Sequence, residues 1–145
     1  MRIRTVLPAD APEVARLATQ LGYPSTASQV AVRLEALAGR ADGAVFVAEA
    51  EDPDPRLAGW ISVRGRHQVE SDPDAVIEGL VVDAEVRRRG VGRALIAAVE
   101  HWARARGYGS MRVNSNTIRV EARRFYEGAG YTVIKTQNAF RKPLT

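Results

Sequence analysis

The densest chemistry in the chain is a run of four arginines around two glycines, Arg87-Arg88-Arg89-Gly90-Val91-Gly92-Arg93. Glycine removes the side chain where a backbone must bend and where a ligand must approach its N–H groups. Apolar residues then recur at Val91, Leu95, Val99 and Trp102, which predicts an amphipathic helix ending at Gly107. The amino end of that helix adds roughly half a positive charge where the guanidinium groups add whole ones. A diphosphate fits such a turn. It is not a P-loop, because Gly92 is followed by Arg93 and Ala94 rather than by Lys and Ser or Thr. Nor is it a dinucleotide fingerprint, since the glycines come late in the chain and no acidic ribose contact follows near Arg112. A second chemical group precedes it: Glu78 is a carboxylate inside the apolar run from Ala75 to Val82. Burying it without partners is costly, so it needs either a structural partner or a proton to take.

The elements that position these residues read as a mixed α/β domain. Arg2 to Val6 alternates like a strand. Asp10 stands ready to cap a helix carrying Val14, Leu17, Ala18 and Leu21, with Gly22 as its stop. Ser25 or Ser28 caps a second helix through Val30, Leu34 and Leu37, closing at Gly39. The β-branched and aromatic runs Ala44 to Ala50 and Leu57 to Val63 form a hairpin around an acidic, Pro-containing loop. Ala75 to Val82 is long and apolar enough for a central strand buried on both faces, and Gly79 within it suits a bulge. Ser110 to Val113 follows as a fifth strand, then a helix from Glu121 to Gly128. Tyr131 to Thr136 and Asn138 to Leu144 are expected as sixth and seventh strands.

At 145 residues and 46% hydrophobic content, the sequence fits one domain with a real core. The absence of cysteine excludes disulfides, thiolate nucleophiles and sulfur-built zinc sites, and two distant histidines supply no metal-ligand pair. No metal is expected. No apolar run approaches the ~18 residues of a membrane span, and no apolar h-region follows the charged start. A cytoplasmic protein with no membrane partner is expected. Of the 21 basic residues only Lys135 and Lys142 are lysine; arginine's planar fork suits phosphate on DNA or on a nucleotide cofactor alike.

The segment resembles the acyl-CoA-binding motif of the GNAT superfamily of N-acetyltransferases: Arg or Gln, two residues, Gly, one residue, then Gly or Ala, filled by Arg87, Gly90 and Gly92. A second match runs from Ser115 to Tyr131, where Ala122, Phe125-Tyr126 and Gly130-Tyr131 recur at the family's closing spacing. The resemblance covers most of the chain. It implies a GNAT-like, mostly antiparallel sheet of six to seven strands with about four helices on its two faces, in one N-acetyltransferase domain, 1–145. It implies acetyl-CoA as co-substrate, with Leu80, Val81 and Val82 beside the pantetheine arm and Arg87, Arg88, Arg89, Gly90, Val91, Gly92 and Arg93 around the diphosphate. Many relatives carry asparagine seven residues before the tyrosine, where this chain has Arg119; either Asn116 takes over its hydrogen bonding or Arg119 contacts CoA. A subset of relatives with an Asn-x-x-Arg-x-Glu-Ala pattern, some resembling aminoglycoside 6′-acetyltransferases, is closer to this stretch.

The resemblance also implies direct transfer to a primary amine. An alkyl-ammonium with a pKa of about 10.4 is neutral in only ~1 molecule in 10³–10⁴ near pH 7, so a proton acceptor is needed. By two-residue alternation Glu78 shares a strand face with Val82 and is the expected base, directly or through a water. The Val82 N–H is the expected oxyanion donor. Tyr126, at the family's tyrosine position, faces the departing thiolate and gives it a proton or a hydrogen bond. His67 and Glu70 lie in a loop that lines the acceptor site in relatives, as do Tyr23 and Pro24. A homodimer is compatible with the family. Two other readings remain: a catalytically silent acyl-CoA-binding regulatory module, and a nucleic-acid-binding domain. The latter lacks interleaved aromatic and basic residues or a recognition motif.

Overall fold

Each strand of a sheet has to bury a face, and the alternation of helices with strands decides what covers it. In the computed structural model, residues 1–50, 56–87, 89–115 and 120–145 are described. The chain divides into two compact units, Met1–Val113 and Asn114–Thr145.

The first unit runs β1 (Arg2–Thr5), α1 (Ala11–Leu21), α2 (Ala27–Ala38), β2 (Gly43–Glu49), β3 (Leu57–Arg66), β4 (Asp74–Val82), α3 (Val91–Ala105) and β5 (Met111–Val113). Its sheet has the order β1-β2-β3-β4-β5. The first four strands are antiparallel, and β5 lies parallel to β4 because α3 carries the chain back over the sheet. The mixed, mostly antiparallel sheet is the one expected.

Cross-strand register separates the faces. Trp60 of β3 lies opposite Val47 of β2 and Val81 of β4. These three pack with Ala11, Val14 and Leu17 of α1 and Val30 of α2, which close that face. On the other face, Gly59 lies opposite Val82, and a Cβ on Gly59 would stand 3.2 Å from Leu95 Cδ1 of α3. Val91, Leu95 and Val99 are buried along α3 as its sequence period predicts, with Ile96 and Ala103 beside them, whereas Trp102 of the expected stripe is only half-buried. Each fully buried Leu, Ile or Val contributes on the order of 1.5–3 kcal/mol.

Two caps differ from expectation. Asp10 accepts the Leu7 N–H (2.7 Å) and a forked pair from Arg4 (2.8 and 2.9 Å), so it closes a 3-10 turn at Pro8–Asp10 instead of the first turn of α1. Thr26, not Ser25 or Ser28, caps α2: its hydroxyl accepts from Gln29 N (3.1 Å) while Gln29 Oε1 accepts from Thr26 N (3.0 Å).

The second unit holds α4 (Val120–Gly128), closed by Gly130 in the left-handed region. The Tyr131 N–H donates to the Tyr126 carbonyl (3.0 Å), and the Phe125, Tyr126 and Tyr131 rings meet edge to face. Residues 131–145 form no strand, which corrects the expected sixth and seventh strands: five strands are present among the described residues. Strand propensity makes a ladder only against a partner edge, and Val133, Ile134, Phe140 and Leu144 of this stretch are exposed.

Candidate active site

β4 changes character at one residue. Ser62 of β3 lies opposite Gly79, but Val63 lies opposite Ile77, so Glu78 is an extra residue with no cross-strand partner. Gly79 is required there because a Cβ would meet the Trp60 ring at 2.8 Å. The expected bulge is thus present, and it overturns one consequence of strict alternation. Glu78 does not share a face with Val82. Its Oε2 accepts from Arg64 Nε at 2.7 Å, and Arg64 alternates with Trp60 on the α1–α2 side, whereas Val82 lies on the α3 side. Arg64 engages one carboxylate oxygen; a carboxylate has a second.

The bulge also marks where β4 loses a neighbour. β5 pairs with Ala75, Val76 and Ile77, and among the described residues nothing pairs with that edge further on. The Asp83 N–H donates to the Ala58 carbonyl at 2.8 Å, which makes Ala58 and Asp83 a bonded pair. Bonded and unbonded pairs alternate along an antiparallel ladder. Trp60 and Val81 are therefore bonded, while Leu80 and Val82 turn their N–H and C=O groups away from β3 toward the open edge. Of the three residues expected beside an extended arm, Leu80 and Val82 offer main-chain groups, and Val81 gives its own to the sheet.

Eight residues separate the end of β4 from the start of α3. Gly90 is its N-cap, with φ 81° and ψ 7°, and no side chain caps it. That left-handed turn costs a residue with a Cβ roughly 1–2 kcal/mol. The Gly90 carbonyl accepts the first helical bond from Ala94 (3.0 Å), so the Val91 and Gly92 N–H groups have no acceptor within the helix. Arg87, Arg89 and Arg93 are exposed around them, and the sequence holds no acidic residue from Val86 to Val99. Such an arrangement has the charge and the donor groups to hold an anion.

Asp83, which sequence reasoning passed over, joins the open edge to this turn. It is 4% exposed. Its Oδ2 pairs with Arg16 of α1 at 3.0 Å, and its Oδ1 accepts from the Glu85 N–H at 3.1 Å and from Gln20 Nε2 at 3.4 Å. Burial alone would push its pKa up; the Glu85 amide, Arg16 and Gln20 outweigh it and hold the carboxyl below the ordinary aspartate value. The only signal in the sequence was an acidic residue directly between an apolar strand and an arginine run.

Tyr126 stands on α4 in the second unit, half-buried. Arg88, Asn116 and Arg119 lie outside the described residues. His67 is drawn to the far end of α3: its Nε2 is 3.2 Å from the Tyr108 hydroxyl and 3.3 Å from Asp42 Oδ2, and Tyr108 donates to the same Asp42 oxygen. There Tyr108 stacks on Trp102 and Arg106 lies over the Trp102 ring, so the cluster fixes the helix end. Tyr23 is exposed between α1 and α2.

A sheet opened along one strand, next to a cationic helix start, has the donor groups to hold both the amide-bearing arm and the diphosphate of an acyl-CoA. In comparison with known proteins, residues 12–131 match the model of the Acetyltransferase (GNAT) family. The chain belongs to that family, the acetyl-CoA-dependent N-acetyltransferases. It is 35% identical to an aminoglycoside N(6′)-acetyltransferase type 1 from Stenotrophomonas maltophilia, over 98% of this chain and 93% of that protein. A namesake from Klebsiella aerogenes is 34% identical over 76% of this chain and 74% of its own length. Among solved structures, aminoglycoside N-acetyltransferase AAC(6')-Iy in complex with CoA superposes with a TM-score of 0.85 at 23% identity, covering 97% of this chain and 93% of that one.

Proposed function

We propose that the enzyme acetylates an aminoglycoside, at the primary amine on the 6′ carbon. The single observation that carries this acceptor is the 35% identity to the Stenotrophomonas maltophilia aminoglycoside enzyme over nearly the full length of both chains. In this reading the pantetheine arm of acetyl-CoA bonds to Leu80 and Val82 along the open edge. Its diphosphate meets the Val91 and Gly92 amides, with Arg87, Arg88, Arg89 and Arg93 around it and Asn116 or Arg119 as a further contact to CoA. The acceptor comes from the α1–α2 face, where Glu78 and Tyr23 lie.

The neutral amine attacks the thioester carbonyl carbon. As the C–N bond forms, charge collects on the carbonyl oxygen and the Val82 N–H stabilises it. The C–S bond then breaks and the departing thiolate takes a proton, a role that the family resemblance gives to the Tyr126 hydroxyl. Glu78, directly or through a water, takes the proton that the amine gives up. A homodimer is part of this reading, supported by the exposed Val133, Ile134, Phe140 and Leu144; a monomer in sedimentation at assay concentrations removes it.

The test of the acceptor is a thiol-release screen with acetyl-CoA. Aminoglycosides with a 6′-amine are expected to turn over and 6′-hydroxyl counterparts not to. Turnover confined to polyamines or peptide amines overturns the acceptor.

A further inference from the structure

Acetyl-CoA in this reading is a ligand held at two separated places, and its affinity depends on their spacing. One is the open edge of β4 at Leu80 and Val82; the other is the turn at Gly90 to Gly92. Between them lie residues 83–89, and α1 grips the start of that stretch at Asp83 and Ala84. Arg16 reaches Asp83 Oδ2 through Nη1 (3.0 Å) and the Leu57 carbonyl through Nη2 (3.2 Å). Glu13 holds the same guanidinium (2.8 and 3.0 Å) and accepts the Leu57 N–H at 3.0 Å, which ties α1 to the start of β3. Gln20 accepts the Ala84 N–H at 3.0 Å while its amide group points at Asp83. Asp83 accepts the Glu85 N–H with its side chain and the Val86 N–H (3.0 Å) with its carbonyl. Three successive amides leaving the strand are thus fixed by Asp83 and Gln20.

We infer that Asp83, clamped by Arg16 and Gln20, is a positioning residue that sets the spacing between the strand edge and the diphosphate turn. A buried ion pair adds little net stability compared with apolar packing of the same volume. What this one provides is geometry: a fork of hydrogen bonds that fixes the direction in which the chain leaves β4. The inference rests on the proposed placement of acetyl-CoA along the edge and turn.

Two acetyl donors separate positioning from plain structural support. Acetyl-CoA engages both places, whereas S-acetyl-pantetheine has no diphosphate and engages only the strand edge. For Asp83→Asn and Arg16→Lys, the acetyl-CoA KM is expected to rise about tenfold, as misplacement of a bound group costs up to about 10²-fold. kcat at saturating acetyl-CoA and the acceptor KM should shift less than about threefold, and kcat/KM for S-acetyl-pantetheine should stay near wild type. Loss of activity toward both donors in equal measure, or an unchanged acetyl-CoA KM, overturns the inference. Should Asp83→Asn fail to fold, Gln20→Leu reads the same donor ratio, because it removes only the grip on Ala84 and Asp83. Gly92→Glu tests the underlying placement separately. If it leaves the preference for acetyl-CoA over S-acetyl-pantetheine intact, the placement of the diphosphate fails; if it abolishes that preference while the Asp83, Arg16 and Gln20 variants do nothing, the inference alone fails.

Discussion

From Ala75 to Ile77, β4 is buried and has a strand on each side; from Glu78 to Val82 it has, among the described residues, a strand on one side, and Leu80 and Val82 are only half-buried. The contrast lies within a single strand of nine residues. Backbone N–H and C=O groups left unpaired inside a protein are costly, so a sheet does not open by accident. The bulge at Glu78 is the device that separates the halves. Before it the strand supports the fold; after it, two main-chain donor and acceptor sets face an edge that no described residue pairs with, and the proposed reading gives them to the pantetheine arm.

The largest effect expected from breaking this contrast comes from proline. Val81→Pro removes an N–H that the β3 ladder uses and leaves the Trp60 carbonyl unpaired, at about 1–3 kcal/mol before the ring's clash is counted. Val82→Pro removes an N–H that points to the open edge. Its melting temperature should stay near wild type while kcat falls about 10²–10³-fold, the usual effect of deleting one oxyanion donor. Chemical denaturation and steady-state kinetics on the two variants read this directly. A destabilised Val82→Pro beside a stable Val81→Pro would mean that Val82, not Val81, gives its amide to β3.

Glu78, at the boundary, should affect rate without affecting fold. Its pair with Arg64 leaves both side chains about one-third exposed, and such pairs contribute less than about 1 kcal/mol. Glu78→Gln should therefore unfold near the wild-type denaturant midpoint and bind acetyl-CoA as well. Its kcat is expected to drop about 10²-fold, the low end for loss of a general base. An unchanged kcat from pH 6 to 9 removes Glu78 from the proton path.

The two halves were not equally legible in the sequence. The period of α3, the Gly90–Gly92 turn and the hairpin are local patterns, and local patterns survive folding. Gly79 announced a bulge, yet strict alternation still put Glu78 on the wrong face, because a bulge flips every side chain before it relative to those after it. Its exact position depends on which residue of β3 stands opposite. The Asp83 clamp was invisible for a related reason: Arg16 and Gln20 lie more than 60 residues away, and nothing in their helical pattern marks a partner. The tail shows the opposite failure: residues 131–136 read as a strand and form none.

The smallest expected effect compares the ends of β4 by acid. Asp74 opens the paired half, held by a forked pair from Arg66 at 2.7 and 2.8 Å; Asp83 closes the open half, held by Arg16. Arg66 keeps the Asp74 carboxyl below the ordinary aspartate value of about 4, and Asp83 sits below it too, despite its burial. A carboxylate whose folded pKa is depressed gives its full stabilisation above the unfolded value and loses it as pH falls through the folded one. Stability carried by either residue should accordingly be flat from pH 7 down to about pH 5 and decline below about pH 4. In denaturant titrations, the gap between wild type and Asp74→Asn or Asp83→Asn is expected to narrow over that acidic window. A gap that stays constant down to pH 2 excludes the depressed carboxylate as its source. The two variants then part company in the kinetics, since only the Asp83 change should lower the preference for acetyl-CoA over S-acetyl-pantetheine. Asp74 stands at the start of β4, next to the half that β5 pairs with and at the opposite end of the strand from the proposed ligand edge.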